Sequence, residues 1–142
     1  MNKEAIIQQL PYAKPFLFVD DITHIDTNGV TGTFTYDANL DFYRGHFKDH
    51  PITPGVILTE TMAQIGVVCL GIYLTEEEQP TQMALTSSEI EFLQPVYPNE
   101  TVTVISEKIY FRFGKLKCNV RMLNSRNEEV SRGTIAGMLV NR

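Results

Sequence analysis

The 142-residue chain is 43% hydrophobic and 20% charged, which fits one soluble globular domain over residues 1–142 and excludes a disordered or low-complexity protein. Its net charge of -5 gives no electrostatic support for nucleic-acid binding. Cys69 and Cys118, with no CxxC spacing, are expected as reduced core thiols, and an N-terminus with Lys3 and Glu4 among apolar residues does not read as a signal peptide, so a cytoplasmic location is expected.

Residues 1–10 predict a short amphipathic helix, and residues 17–25 a strand. Asp26-Thr27-Asn28-Gly29 supplies an Asn-Gly turn that tolerates positive φ, so residues 30–36 form the hairpin mate. There Val30, Gly32, Phe34 and Tyr36 point to one face and the three intervening threonines to the other, as a half-buried strand requires. Residues 42–51 are too rich in turn formers for a regular strand. Thr53 then reads as an N-cap and Pro54 as the first position of a long helix running to about residue 74. This helix has almost no polar stripe and is expected to be enclosed by protein; Glu60 and Gln64 upon it argue against a membrane span. Four further strands are predicted at 82–92, 102–113, 116–124 and 129–140. Gly114 and residues 124–127 serve as turns, and the strands are read as consecutive antiparallel hairpins.

Glu60 is the residue that patterning explains least. Its helical neighbours Val56, Ile57, Ala63 and Gln64 offer no cation, so a buried carboxylate there should have a raised pKa, as groups at functional sites often do. The alternative is a carboxylate that faces solvent or pairs with a distant arginine. His46, in Gly45-His46-Phe47, sits in a loop, where an imidazole can act as a base near neutral pH. Gly55 leaves backbone amides open at the positive end of the helix dipole, where an oxygen gaining negative charge would be stabilised. Base, acid and oxyanion donors thus fall between His46 and Glu60. His46, His50 and Glu60 are also possible metal ligands, but Lys48 and Pro51 remove the helical geometry that a His-x-x-x-His pair needs, and no metal is expected. His24 reads as structural or exposed. Arg112, Lys115, Lys117 and Arg121 form a basic stretch that suits either an acidic partner or a solvated strand face. No nucleophile elbow, phosphate loop or dinucleotide fingerprint occurs.

The run from Arg44 to Val56 resembles the Gly-His-Phe-Pro-x-x-Pro-x-x-Pro-Gly-Val signature of the 3-hydroxyacyl-[acyl-carrier-protein] dehydratases of the hot-dog superfamily, in the short, fatty-acid-synthesis type. Glu60-Thr61-Met62-Ala63-Gln64 completes it, and residues 15–20, 91–98 and the last strand agree. Lys48 replaces the proline that usually follows His-Phe, and Asn99-Glu100 stands where Gly-Asp is common. The resemblance implies an α+β hot-dog fold, an antiparallel sheet wrapped around a long central helix. It also implies a homodimer with its active sites at the subunit interface, assembly beyond the dimer being left open. The implied activity is dehydration of (3R)-3-hydroxyacyl to trans-2-enoyl thioesters on acyl carrier protein, in fatty-acid or related polyketide or polyene synthesis. His46 would be the base and Glu60 the acid, with Gly55, Val56 and Gln64 binding substrate or supporting it. The acyl chain rides on the carrier's phosphopantetheine, and no other cofactor, no nucleic acid and no membrane is implied. Arg44, Lys48, Arg112, Lys115 and Lys117 are expected to form a patch for the acidic carrier. Two rival readings stand beside this one: a hot-dog thioesterase, and a non-catalytic acyl-binding scaffold.

Overall fold

The computed structural model of the protein describes residues 2–75 and 82–140; Met1 and the acidic run Glu76-Glu77-Glu78 lie outside them. Helix α1 (Lys3–Gln9) is capped by Asn2, whose side-chain oxygen accepts from the Ala5 amide at 2.8 Å, and it buries Ile6. Strands β1 (Asp21–Asp26), β2 (Gly29–Thr35), β3 (Met83–Phe92), β4 (Thr101–Arg112), β5 (Lys115–Leu123) and β6 (Glu129–Leu139) make one antiparallel sheet in the order β1-β2-β4-β5-β6-β3. Helix α2 (Gly55–Thr75) lies across it. The expected sheet around a central helix is therefore the observed architecture.

The inward face follows the pleat. Leu116, Cys118, Val120 and Met122 of β5 are buried against α2, as are Val102, Val104 and Ser106 of β4. Both cysteines are free and buried, and burial pushes the Cys69 thiol up to about 12, which makes it packing rather than a nucleophile.

Five expectations need correction. The turn after β1 is centred on Thr27-Asn28, with Asp26 Oδ1 accepting from the Asn28 and Gly29 amides, so Gly29 already opens β2 and neither Asn28 nor Gly29 takes positive φ. The first strand begins at Asp21, not residue 17: the Phe18 amide is taken by the Gln64 side chain and cannot join a ladder. The later strands are not all consecutive hairpins: β3 pairs with β6 at the sheet edge, while β4 pairs with β2. The connection explains this, since residues 93–100 contain Pro95 and Pro98 and run across the fold, bonded to Val130, Thr53 and Tyr36. The helix start is also shifted. Pro54 is the N-cap, and no side chain caps α2, because the Thr53 hydroxyl bonds the Tyr43 hydroxyl instead. Finally, α2 is not α-helical throughout: Gln64–Cys69 forms a π-helical stretch between Gly55–Ala63 and Leu70–Thr75. At its centre the Gly66 carbonyl accepts from Ser106 Oγ at 2.8 Å. A Cβ at Gly66 would lie 3.1 Å from Val120 Cγ1 and 3.2 Å from Ser106 Oγ, so glycine allows the close approach on which that bond depends.

Candidate active site

The segment that carries His46 begins as a 3-10 turn, Asp41–Arg44, which places the Phe42 carbonyl to accept from the Gly45 and His46 amides. Two further bonds close the loop on itself. The Ile52 amide donates to the His46 carbonyl at 2.8 Å, and the His46 ring Nδ1 lies 2.9 Å from the Ile52 carbonyl oxygen. A carbonyl can only accept, so Nδ1 must carry the proton, and the lone pair of the neutral ring is left on Nε2. The ring is half-buried and stacks on Phe47 at 4.2 Å between centroids. Beside it, Tyr43 and Thr53 share a buried hydroxyl–hydroxyl bond of 2.5 Å, and the Thr53 amide donates to the Val96 carbonyl.

At the start of α2 the first intrahelical-type bonds come from Ile57 and Leu58 to the Pro54 carbonyl. Among the described residues nothing accepts from the Gly55 and Val56 amides, which leaves two donors open at the positive end of the helix. The Phe92 ring of β3 stands over Gly55; a Cβ there would meet Cζ at 3.2 Å, so any larger residue would have to push the ring aside by a few tenths of an ångström. A depression of about 260 Å³ opens at this point between Gly55, Leu58, Phe92 and Pro95.

Glu60 lies on the same helix, half-buried, with no cation bonded to it among the described residues. Burial pushes its carboxyl above the usual carboxylate range, and a hydrogen bond from Gln64 partly offsets that rise. Gln64 is wholly buried and uses both ends of its amide. Its oxygen accepts from the Phe18 amide at 2.8 Å, and its nitrogen donates to the Phe16 carbonyl and to Glu60 Oε2, each at 3.0 Å. Tyr12, which sequence reasoning passed over, also belongs here: burial and the nearby Glu60 and Cys69 push its phenol up to about 12.

The structure thus joins Glu60 to Gln64, and ties His46 to Ile52, three residues before the helix start that bears Gly55 and Val56. It places no hydrogen bond between His46 and Glu60 among the described residues. His50 faces Tyr97, exposed His24 bonds Asp26, and no three His, Cys, Asp or Glu side chains gather to hold a metal among the described residues. The expected basic patch divides. Arg44 and Lys48 lie at the β2–β4 end where the chain enters α2, whereas Arg112, Lys115 and Lys117 lie at the far tip of β4 and β5, about 35 Å along twelve strand residues. Arg121 is paired with Glu129 at 2.6 Å. Around the site Val56 is 76% exposed, and β3, whose outer edge pairs with no strand among the described residues, is exposed on both faces from Ala84 to Glu89.

Comparison with known proteins gives a consistent result. The FabA-like domain matches residues 10–135. The chain is 32% identical over 134 residues to a 3-hydroxyacyl-[acyl-carrier-protein] dehydratase FabZ of Thermus thermophilus, covering 92% of each chain. It is 31% identical over 121 residues to that of Acinetobacter baumannii, covering 84% of this chain and 83% of the relative. Among solved structures, the dehydratase heterocomplex ApeI:P of Xenorhabdus doucetiae superposes with a TM-score of 0.83 at 13% identity, over 96% of this chain and 91% of that one. A hypothetical thioesterase of Streptococcus pneumoniae gives 0.63 at 13% identity, over 85% of each chain, so the fold is shared across two chemistries.

Proposed function

The chain belongs to the FabA-like family, and on that premise we propose that it removes water from (3R)-3-hydroxyacyl thioesters carried on acyl carrier protein, forming the trans-2-enoyl thioester. It is a hydro-lyase of fatty-acid or related polyketide synthesis. The observation that carries the assignment of roles is the bond from His46 Nδ1 to the Ile52 carbonyl, which leaves Nε2 as a base at a helix start with two unclaimed amides.

The thioester oxygen would accept from Gly55 and Val56, whose dipole stabilises the negative charge that grows as C2 loses its proton. His46 Nε2 takes that proton. The C2–H pair becomes the C2=C3 bond, the C3–O bond breaks, and protonated Glu60 supplies the proton with which the hydroxyl leaves as water. A proton then passes from His46 back to Glu60 through solvent. Burial keeps Glu60 protonated closer to neutrality, which suits an acid, and Gln64 fixes the carboxyl by its bond to Oε2. Losing the acid or the base should cost about 10²- to 10⁴-fold in rate, or about 3 to 5 kcal/mol in barrier.

The reading is of a cytoplasmic homodimer. Strand β3, open at its edge and exposed on both faces, is the natural surface for pairing with a second copy, so that His46 of one subunit meets Glu60 of the other. The lack of a bond between the two residues within one chain supports this. The acidic carrier would meet Arg44 and Lys48, which lie at the end where the chain enters α2, rather than the whole composite patch expected from sequence, since Arg112, Lys115 and Lys117 of the same subunit lie at the far tip of β4 and β5. No cofactor beyond the carrier's phosphopantetheine is required. Subunit mixing tests the shared site: co-expressed His46→Ala and Glu60→Gln chains should recover about a quarter of native activity, since half of the two-fold dimers are mixed and each has one intact site. Recovery of nothing from purified mixed dimers would place the residues in one chain.

A further inference from the structure

We propose that Tyr43 and Thr53 are positioning residues for His46, their buried hydroxyl pair fixing both ends of the imidazole-bearing loop at one point beside the start of α2. The inference rests on the reading of His46 as the base. Residues 47–51 and 44–45 are exposed, so the loop is not held by packing of its own side chains. Two carbonyls hold His46, Phe42 O on its amide and Ile52 O on its ring, and its own carbonyl accepts from the Ile52 amide. Tyr43 directly follows the first and Thr53 directly follows the second. The bond between their hydroxyls, 2.5 Å and buried, spans the gap between these two supports. The Thr53 amide in turn bonds the carbonyl of Val96, the one buried residue of the otherwise largely exposed connection between β3 and β4, and so references the pair to the core.

Filling space does not require the pair, since phenylalanine and valine would occupy nearly the same volume without a polar group to satisfy. Its second consequence lies at the helix start. With the Thr53 hydroxyl committed to Tyr43, no side chain caps α2, and the amides of Gly55 and Val56 stay open for a thioester oxygen. One hydrogen bond thereby holds the base and keeps the oxyanion donors unoccupied.

The test is a Tyr43→Phe/Thr53→Val double variant beside Tyr43→Phe, Thr53→Ser and His46→Ala, assayed on a 3-hydroxyacyl-acyl carrier protein. Removing both hydroxyls leaves neither unpaired, so the melting temperature should stay close to native. The turnover number should nevertheless fall about 10- to 100-fold, as small misplacements of a reacting group do, with KM little changed. Thr53→Ser should keep native turnover. Nitrogen-15 NMR should show His46 as the single Nδ1–H tautomer in the native chain and as a mixture in the double variant. If the double variant melts lower, Tyr43→Phe alone carries the same expectations for turnover and tautomer. Native turnover with a single tautomer in these variants, while His46→Ala is inactive, overturns the proposal; full activity in His46→Ala instead overturns the reading of the base on which it rests.

Discussion

Replacing Gln64 with leucine should damage both stability and the acid, by amounts that can be set out in advance. The amide is fully buried and makes three hydrogen bonds, to the Phe18 amide, the Phe16 carbonyl and Glu60 Oε2. Leucine fills the space but leaves the Phe18 N–H without a partner, which costs about 1 to 3 kcal/mol, and forfeits the bond to Phe16, worth about 1 kcal/mol. The bond to Glu60 adds less, because that carboxyl is only half-buried. Burying an apolar side chain returns about 1 kcal/mol, so the net loss is about 3 kcal/mol, or roughly 10 °C in melting temperature for a domain of this size. Glu60 responds in a definite direction. Gln64 now holds its pKa down against the pull of burial, so leucine should raise it further. Thermal melts by circular dichroism at fixed protein concentration, together with the pH profile of turnover, check both. A melting temperature within about 3 °C of native would refute the account of this bond network.

The remaining expectations concern pH, the sheet and its far turn. Because the native pKa of Glu60 lies above its unfolded value, its stabilising contribution is complete below the unfolded pKa and lost as pH rises through the native one; turnover should fall over the same interval as the acid ionises, and Glu60→Gln should remove the stability decline from melts recorded against pH. Gly133→Ala puts a Cβ 1.9 Å from the Glu89 carbonyl oxygen, so it should force β3 away from β6 and cost more than about 3 kcal/mol, with a native melting temperature as the contrary result. Phe113, 96% exposed with φ of 53° beside Gly114 at 77°, occupies the first position of a turn that favours asparagine; Phe113→Asn should stabilise by about 1 kcal/mol and raise the melting temperature by about 3 °C, and a lower value would contradict the turn assignment.

What was legible in the sequence was local. Alternation in β2, a tight turn after β1, Gly114 at the β4–β5 tip and the apolar run of α2 each depend on neighbours a few residues apart, and each stands within a few residues of its expected place, although the first turn uses Thr27-Asn28 and not the positive φ of an Asn-Gly pair. Glu60 without a cation was legible for the same reason, since its possible helical partners could be enumerated. The features that were not legible depend on distant partners. The π stretch is met by Ser106, forty residues from Gly66, and Gln64 serves a segment 46 to 48 residues before it. The place of β3 at the edge depends on which strand fills the position beside β2, and no pattern within β3 states that. Thr53 misled for a related reason: its type and position suit a cap, but a tyrosine hydroxyl ten residues away competes for the same oxygen.

This site is expected to eliminate water and not to hydrolyse the thioester. Enoyl formation and free thiol release should be followed together on one 3-hydroxyacyl-acyl carrier protein, for the native chain, His46→Ala and Glu60→Gln. Enoyl product from the native chain, reduced at least about 100-fold in both variants and with no thiol released, is the expected result. Thiol release without enoyl product would contradict the account and make the same helix start the oxyanion site of a thioesterase.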